Sequence, residues 1–515
     1  MKNMRELFYV VKKNSLPIFV IFLLAFVFRI LYLPQGSLSF AYDQARDAFL
    51  VEELLSGDIK VLGPPVSGIP GLYHGVLYYY LIAPFYFLGG GNPIVPAYFL
   101  AFINSLGVVL AFVLSYVLIK KTAASFVAAT LFAFSFEASQ YANLLTNVSL
   151  ASVTLPLTYI FLIFWARGKI SFSLWAGFAF GISIQSEIAL LYHLIPICLF
   201  YFFSKKFAKI KSAAIFIIGF FMGVIPMIVS EVRFGFTGLS GMWYLLTRAD
   251  GVAQERDLLD ILVIYFDQVS ETFANNIIPV SHLGGGIIFL ATTSYSLYLV
   301  FKKKAKLWNF LPFAIAPHLF VLPFGGTNIR HIMVGAGVLI TSLVGIVIYK
   351  LFRKMPYAAG GIVAIIISVN LVYIFTNNND GQTIFPLQKD LTLANELKVV
   401  DYTYKEAGGL EFSINTITSP LWVNTLWSYI YNLRGQSEYG YLPKWSGKDQ
   451  IGQLGNNLQT NLNIKTTFLI IEPTYGIPER FISETINEEN ARGRVLEEIS
   501  FGDIIVQKRE AFGVK

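Results

Sequence analysis

The chain reads as a series of long apolar runs separated by short polar turns. The first run, residues 15–34, follows the basic start MKNMRELFYVVKKN and is long enough to cross a hydrocarbon layer of about 30 Å as a helix. A signal peptide would have a shorter apolar part and an A-x-A-like cleavage site, and no such site is evident, so the run predicts an anchor helix. Further spans are predicted at residues 95–119, 122–136, 148–165, 171–184, 188–203, 213–230, 285–301, 308–322, 331–349 and 358–375. Residues 39–55 follow a helical period with mixed polarity. They predict an amphipathic helix on the membrane surface, with Phe49, Leu50, Leu54 and Leu55 against lipid and Asp43, Asp47 and Glu52 toward water. Residues 73–89 are apolar and aromatic, but Pro84 interrupts them and Gly89–Gly91 close them, which fits a re-entrant or surface helix as well as a span.

After residue 376 the pattern changes. Apolar runs shrink to strand length at 412–418, 467–471 and 502–506, with amphipathic helical patterns at 390–405, 421–433 and 478–490. The expectation is a multi-pass α-helical membrane domain, residues 1–376, followed by a soluble α/β domain, residues 377–515. No convincing short-period repeat is present.

Composition narrows the class. Of 515 residues 55% are hydrophobic and 14% charged, against about a quarter charged in soluble domains. The net charge of +7 would suit nucleic acid, but the basic residues cluster beside apolar runs at 120–121, 167–169, 205–211, 302–306 and 350–354, which fits membrane orientation and no nucleic-acid partner. The positive-inside rule places these clusters and the N-terminus in the cytoplasm. It places residues 137–147, 185–187, 231–284, 323–330 and the whole C-terminal domain outside the cell membrane. Residues 73–89 then either dip in and return, or one cluster breaks the rule. The lone Cys198 rules out an intramolecular disulfide and reads as a packing residue.

Candidate chemistry lies in the turns assigned to the outer side: Asp43 and Asp47, Glu137 and Asn147, Gln185 and Glu187, Arg330 and His331. Polar groups set among apolar runs are costly and usually have partners or a role, so their shared side predicts one pocket at the outer surface. Each also has a plainer reading. Asp43 and Asp47, one turn apart, would solvate an interfacial helix. Glu137 would pair locally, Asn147 would cap the next span, and Gln185 and Glu187 would join helices. His74 suits the membrane border, His193 a hydrogen bond inside the bundle, and Arg330 a snorkelling arginine. No HExxH, P-loop or CxxC pattern occurs, and glycines 89–91 and 284–286 lack a phosphate-loop context.

YDQARDAF after the first helix, then GPP and YHGVLYYYLIAPF, then SQYANLLTNVSLA, GISIQSEIALL and TNIRHIMVGAGVLI, resemble the polyprenyl-phosphate-sugar-dependent glycosyltransferases of the GT-C fold. That group includes the protein O-mannosyltransferases and the lipid A aminoarabinose transferases. The similarity covers about residues 10–350 and rests on the order and spacing of short motifs. Such enzymes carry an aspartate in the first external loop, usually in an Asp-Glu or Asp-Gln pair, which maps to Asp43 and Gln44. A second acidic residue often stands at the outer end of a later span. Here that position holds Asn147, so the resemblance carries over neither a second carboxylate nor a metal site built on two. Glu137 is the candidate substitute, no cofactor is assigned, and a divalent metal is left open.

The resemblance implies a polyprenyl-phosphate sugar donor in the outer leaflet and a hydroxyl acceptor on a lipid, glycan or protein. Asp43, ionised at pH 7, would take the acceptor proton. Arg330, with Arg46 as second choice, would neutralise the departing phosphate. Asp47, Gln185 and Glu187 would bond sugar hydroxyls, and His74 and Tyr78–Tyr80 would flank the phosphate or the sugar face. Attack opposite the leaving phosphate implies inversion. Two other readings stand beside this one: a flippase or transporter for a lipid-linked saccharide, whose polar groups should sit near mid-membrane on broken helices, and a membrane-anchored scaffold.

Overall fold

The computed structural model describes residues 2–66, 69–203, 210–247, 257–302, 306–320, 330–384, 390–448 and 458–513. An amphipathic helix α1 (Lys2–Lys13) precedes the first span α2 (Ser15–Ile30), α3 (Tyr42–Leu55) and α4 (Leu77–Leu88). Helices α5 (Ile94–Ser105) and α6 (Gly107–Ile119) run on as one stretch, and α7 (Thr122–Ala133) bends by 55° into α8 (Phe136–Ala142). Next come α9 (Ala151–Ala166), α10 (Ser171–Ser186), α11 (Leu194–Phe203) and α12 (Ile210–Gly223), which bends by 63° into α13 (Ile225–Arg233). The membrane part closes with α14 (Thr237–Thr247), α15 (Leu258–Ile277), α16 (His282–Phe301), α17 (Leu311–Ile315), α18 (Ala336–Phe352) and α19 (Pro356–Asn377). Among the described residues five stretches are long and apolar enough to cross a membrane, or seven if each bent pair is one span. This is a multi-pass helical membrane protein.

The turns differ from a plain row of spans for identifiable reasons. Helix α4 has 12 residues, about 18 Å of rise, less than a hydrocarbon layer of about 30 Å. The run at 308–322 breaks into the 3-10 turn Leu307–Phe310, α17 and the 3-10 turn Pro317–Phe320, with its last two residues outside the described set. Arg29, buried in the first span, binds Asn104 Oδ1 at 2.7 Å and the carbonyls of Ala25, Ala133 and Phe132. A buried cation thus satisfies the carbonyls freed where α7 ends.

Small residues set the closest helix contacts. A Cβ on Gly177 would stand 2.0 Å from the Phe216 carbonyl, and one on Gly219 2.1 Å from that of Leu174, so α10 and α12 touch backbone to backbone. Gly285 plays the same part between α16 and α15, where a Cβ would meet the Ser270 carbonyl at 1.9 Å. A Cβ on Gly286 would add a second tight approach, to Ser270 Oγ at 2.7 Å, while one on Gly284 would meet nothing closer than 3.9 Å.

In the C-terminal part, helix α20 (Leu393–Ala407) leads to β1 (Ser413–Ile417), α21 (Thr425–Ile430), β2 (Lys444–Trp445), β3 (Thr466–Ile471), a helix at Glu479–Arg492, β4 (Gly493–Phe501) and β5 (Ile504–Ala511). The five strands form one sheet in the order β2-β1-β3-β5-β4. β1 is parallel to β2 and β3, and β5 is antiparallel to β3 and β4. The three apolar strands match their sequence signals. β4 was not anticipated, because RVLEEIS at a largely exposed sheet edge carries charge instead of an apolar run.

The C-terminal part packs on α3 through Tyr429, and two expectations for α3 are corrected. Phe49 is buried against Tyr429, ring centroids 5.1 Å apart and nearly perpendicular, so it does not face lipid. Asp47 is buried and does not face water. The causes differ: Tyr429 of α21 covers Phe49, whereas Arg46 and Tyr79 of α4 enclose Asp47. Leu393 N–H donates to the Leu38 carbonyl at 2.9 Å, Ala394 N–H to that of Gly36 at 3.0 Å, and Tyr429 Oη to that of Gly91 at 2.5 Å. Cys198, expected inside the packing, has an exposed side chain on the outside of the bundle.

Candidate active site

Helix α3 presents the acids. Its entry is fixed by Gln44, whose Oε1 accepts the Ala41 N–H at 2.9 Å, a capping bond that uses Gln44 in structure. One turn separates Asp43 from Asp47, and Arg46 lies between them. Arg46 Nη1 donates to Asp43 Oδ1 at 2.5 Å, while Nη2 and Nε donate to Asp47 Oδ1 at 2.7 and 3.0 Å. Tyr79 Oη adds a third bond to Asp47 at 3.0 Å. The two acids therefore differ in setting: Asp47 is enclosed, whereas half of the Asp43 side chain is open to the cleft.

That cleft has an empty volume of about 770 Å³, counted with its open mouth. Asp43, Arg46 and Asp47 form one wall. The loop Pro64–Pro65–Val66 and His74 form a second, Thr146–Asn147–Val148 a third, Glu187 and Ala189 a fourth, and His331 and Ile332 close it. These stretches, several of them far apart in sequence, thus meet at one hollow. The local folding of each region explains its position. Asn147 opens a 3-10 turn before α9 and donates Nδ2 to the Ser186 carbonyl at 2.6 Å. Glu187 ends α10 in an extended conformation and accepts the Ala189 N–H at 3.0 Å. His331 lies in the 3-10 turn Arg330–Met333 ahead of α18.

Burial shapes the charges. It raises the Asp47 carboxyl to about 6 against the pull of Arg46. Burial also opposes the charge on Arg46, but Asp47 and Asp43 outweigh it and hold the guanidinium protonated beyond its usual range. These two statements describe one pair, and the protonated arginine beside at least one ionised acid is the state the geometry supports. Burial lifts Glu187 to about 7, opposed by the Ala189 N–H. It pushes His74 down to about 3, helped by His331 and Arg46, and His331 down to about 4, opposed by Asp43. At neutral pH both imidazoles are uncharged, and His74 Nδ1 is buried without a protein partner.

The remaining candidates fall elsewhere. Glu137 lines a separate small cavity with Asn104, Tyr141, Ser152 and Asn276. Gln185 faces Gly75, where a Cβ would sit 2.3 Å from its Oε1, and its Nε2 bonds the Gly223 carbonyl. Tyr78 is buried beneath the cleft, within electrostatic reach of Asp47. Tyr80 Oη donates to the Lys60 carbonyl. The side chain of Arg330 lies outside the described residues. His193 accepts or donates to Tyr159 Oη at 2.7 Å inside the bundle, as a structural histidine. Among the described residues no three His, Cys, Asp or Glu side chains are placed to hold a metal ion. With Asn147 in the wall and Arg46 on both aspartates, the cleft does not fit a two-carboxylate metal site.

No family model matches the chain, and no curated protein does. Solved structures do. ArnT from Cupriavidus metallidurans bound to undecaprenyl phosphate superposes with a TM-score of 0.59 at 9% identity, over 95% of this chain and 97% of that one. The same protein in the apo state gives 0.56, at 9% identity over 96% and 98%. An Archaeoglobus fulgidus oligosaccharyltransferase tethered with an acceptor peptide gives 0.49, at 12% identity over 89% and 69%. The chain has the GT-C fold. The near-complete mutual coverage with ArnT includes the C-terminal sheet region. Within this GT-C frame, sequence reading named no site role for Thr146 or the 64–66 loop, both of which line the cleft. Tyr79, expected with Tyr78 and Tyr80 beside the phosphate or sugar, bonds Asp47, and Thr146, whose buried Oγ1 has no protein partner, carries no charge to mark it.

Proposed function

We propose that this protein moves a sugar from a polyprenyl-phosphate donor to a hydroxyl acceptor at the outer membrane surface, with inversion. The observation that carries the reading is the cleft that joins Asp43, His74, Asn147, Glu187 and His331, on a fold shared with a protein whose structure holds undecaprenyl phosphate.

The acceptor hydroxyl meets Asp43, the acid most open to the cleft. As its oxygen bonds to the anomeric carbon, the carbon–oxygen bond to the phosphate breaks. The electron pair leaves on the phosphate, and the hydroxyl proton passes to the Asp43 carboxylate. Arg46 holds Asp43 in place through its i,i+3 pair. Neutral His74 and His331 supply N–H donors to the phosphate oxygens, and Arg330, next to His331 in the chain, supplies the countercharge. Glu187 and Asn147, which also line the cleft, orient the sugar hydroxyls. The donor is a membrane lipid, so no soluble nucleotide is consumed.

The test is incubation of the purified protein in nanodiscs with a panel of labelled polyprenyl-phosphate sugars and membrane extracts as acceptor source. Release of polyprenyl phosphate with transfer of label supports the reading. Movement of intact lipid-linked saccharide across the bilayer without bond cleavage would establish the flippase reading instead.

A further inference from the structure

Helix α1 is not accounted for by the cleft. Leu7, Val10 and Val11 pack against the transmembrane core, and Asn14 Nδ2 caps the helix on the Val10 carbonyl at 2.7 Å before the chain turns into α2. Glu6, on the same helix, accepts Tyr116 Oη at 3.0 Å and pairs with Lys120 at 3.2 Å, which fixes α1 beside the end of α6. Phe8 and Tyr9 are left 72% and 63% exposed on the free face, with Arg5, Lys12 and Lys13 also exposed. A soluble surface does not favour two adjacent exposed aromatics, but a headgroup layer does.

The surroundings have the same character. Segments 2–13, 120–121 and 167–169 hold eight basic residues and one acid, Glu6, which is already paired. Arg167 bonds the Val117 carbonyl through Nη2, while its Nη1 is buried with no protein partner. Gly345 packs on Ala128 and Gly337 faces Phe132, so α18 is antiparallel to α7 and its end reaches the level of the α6–α7 turn. At these ends a lysine lies over an aromatic ring: Lys120 over Tyr116, Lys302 over Tyr298 and Lys350 over Trp308, at 5.0, 5.9 and 5.2 Å. Lysine–aromatic pairs at helix ends mark the level where apolar surface gives way to headgroups.

We propose that α1, with Lys120, Lys121, Arg167 and Lys169, forms a docking surface for anionic phospholipid headgroups on the membrane face opposite the cleft. The occupant follows from charge complementarity: a basic surface at headgroup level, with one neutralised acid, attracts phosphate-bearing lipids of net negative charge over zwitterionic ones. Phe8 and Tyr9 enter the acyl boundary and hold the helix flat. This inference is independent of the sugar-transfer reading.

The test uses the full-length protein in nanodiscs containing trace spin-labelled phosphatidylglycerol or phosphatidylcholine. The motionally restricted fraction of each lipid gives their relative association. The expected preference for phosphatidylglycerol is about threefold or more, reduced toward unity in 1 M salt, where screening acts within about 3 Å. The variant Arg5→Gln/Lys12→Gln/Lys13→Gln should lose most of it, and Arg5→Lys/Lys12→Arg/Lys13→Arg should retain it. Equal association of both lipids with the wild type, or a preference unchanged in the glutamine variant, would overturn the proposal.

Discussion

Arg46 bonds Asp47 through two nitrogens on one carboxylate oxygen and reaches Asp43 with its third. One buried cation therefore sets the positions of both acids on α3. Removing it leaves Asp47 enclosed without a countercharge. Arg46→Ala should cost about 3–5 kcal/mol of stability, the range for breaking a buried pair from one side. Thermal unfolding in detergent measures the loss, and adding Asp47→Asn should recover part of it. An unchanged melting temperature in Arg46→Ala would mean that the pair is not formed.

Tyr429 links the sheet domain to α3, with its ring against Phe40 and Phe49 and its hydroxyl on the Gly91 carbonyl. Tyr429→Phe keeps the ring and loses one hydrogen bond, about 1 kcal/mol. Tyr429→Ala opens a cavity and should cost about 3–5 kcal/mol. Limited proteolysis should show the alanine variant cut ahead of α20 sooner than the wild type, and the phenylalanine variant close to the wild type.

Glu187 gives the cleft a pH dependence with a definite sign. Its carboxyl, raised to about 7, is neutral below that pH and adds a negative charge above it. A phosphate donor is then repelled, so its KM should rise as pH passes from 6 to 8. Glu187→Gln should flatten that rise. A variant with the wild-type profile would assign the ionisation to another group.

His74 and His331 act on stability in the acid range. Their folded values, about 3 and about 4, lie below the usual histidine value near 6.5. The unfolded chain therefore takes up protons first as pH falls, and stability present above about 6.5 is lost progressively toward 4 and 3. Asp47, raised to about 6, works in the opposite direction, so the difference between wild type and His331→Gln is the informative quantity. The variant should lose less stability between pH 7 and 5. Parallel curves would show that His331 is not buried in its neutral form.

Much of this arrangement was legible in the sequence because the bilayer forces apolar runs to be long and leaves polar residues conspicuous. Asp43, Asn147, Glu187 and His331 stood out in the turns between runs, and the structure brings them to one cleft. Gln185 and Glu137 stood out for the same reason, yet Gln185 serves a helix contact at Gly223 and Glu137 lines another cavity. Sequence spacing does not tell which way a side chain leaves a turn. The burial of Phe49 was not legible at all, since it depends on α21 arriving from more than 300 residues away, and that of Asp47 depends on Tyr79 of α4 folding back onto α3. An amphipathic pattern tells that one face is covered, and lipid and a folded domain satisfy it equally.

The most direct measurement of the central claim is transfer by Asp43→Asn. Asparagine keeps the shape of the side chain and can still bond Arg46 through its oxygen, but it cannot hold the acceptor proton. The variant, inserted in the membrane at wild-type levels and with donor binding retained, should release polyprenyl phosphate at least about a hundredfold more slowly. Turnover close to that of the wild type would contradict the assignment of Asp43 as the base.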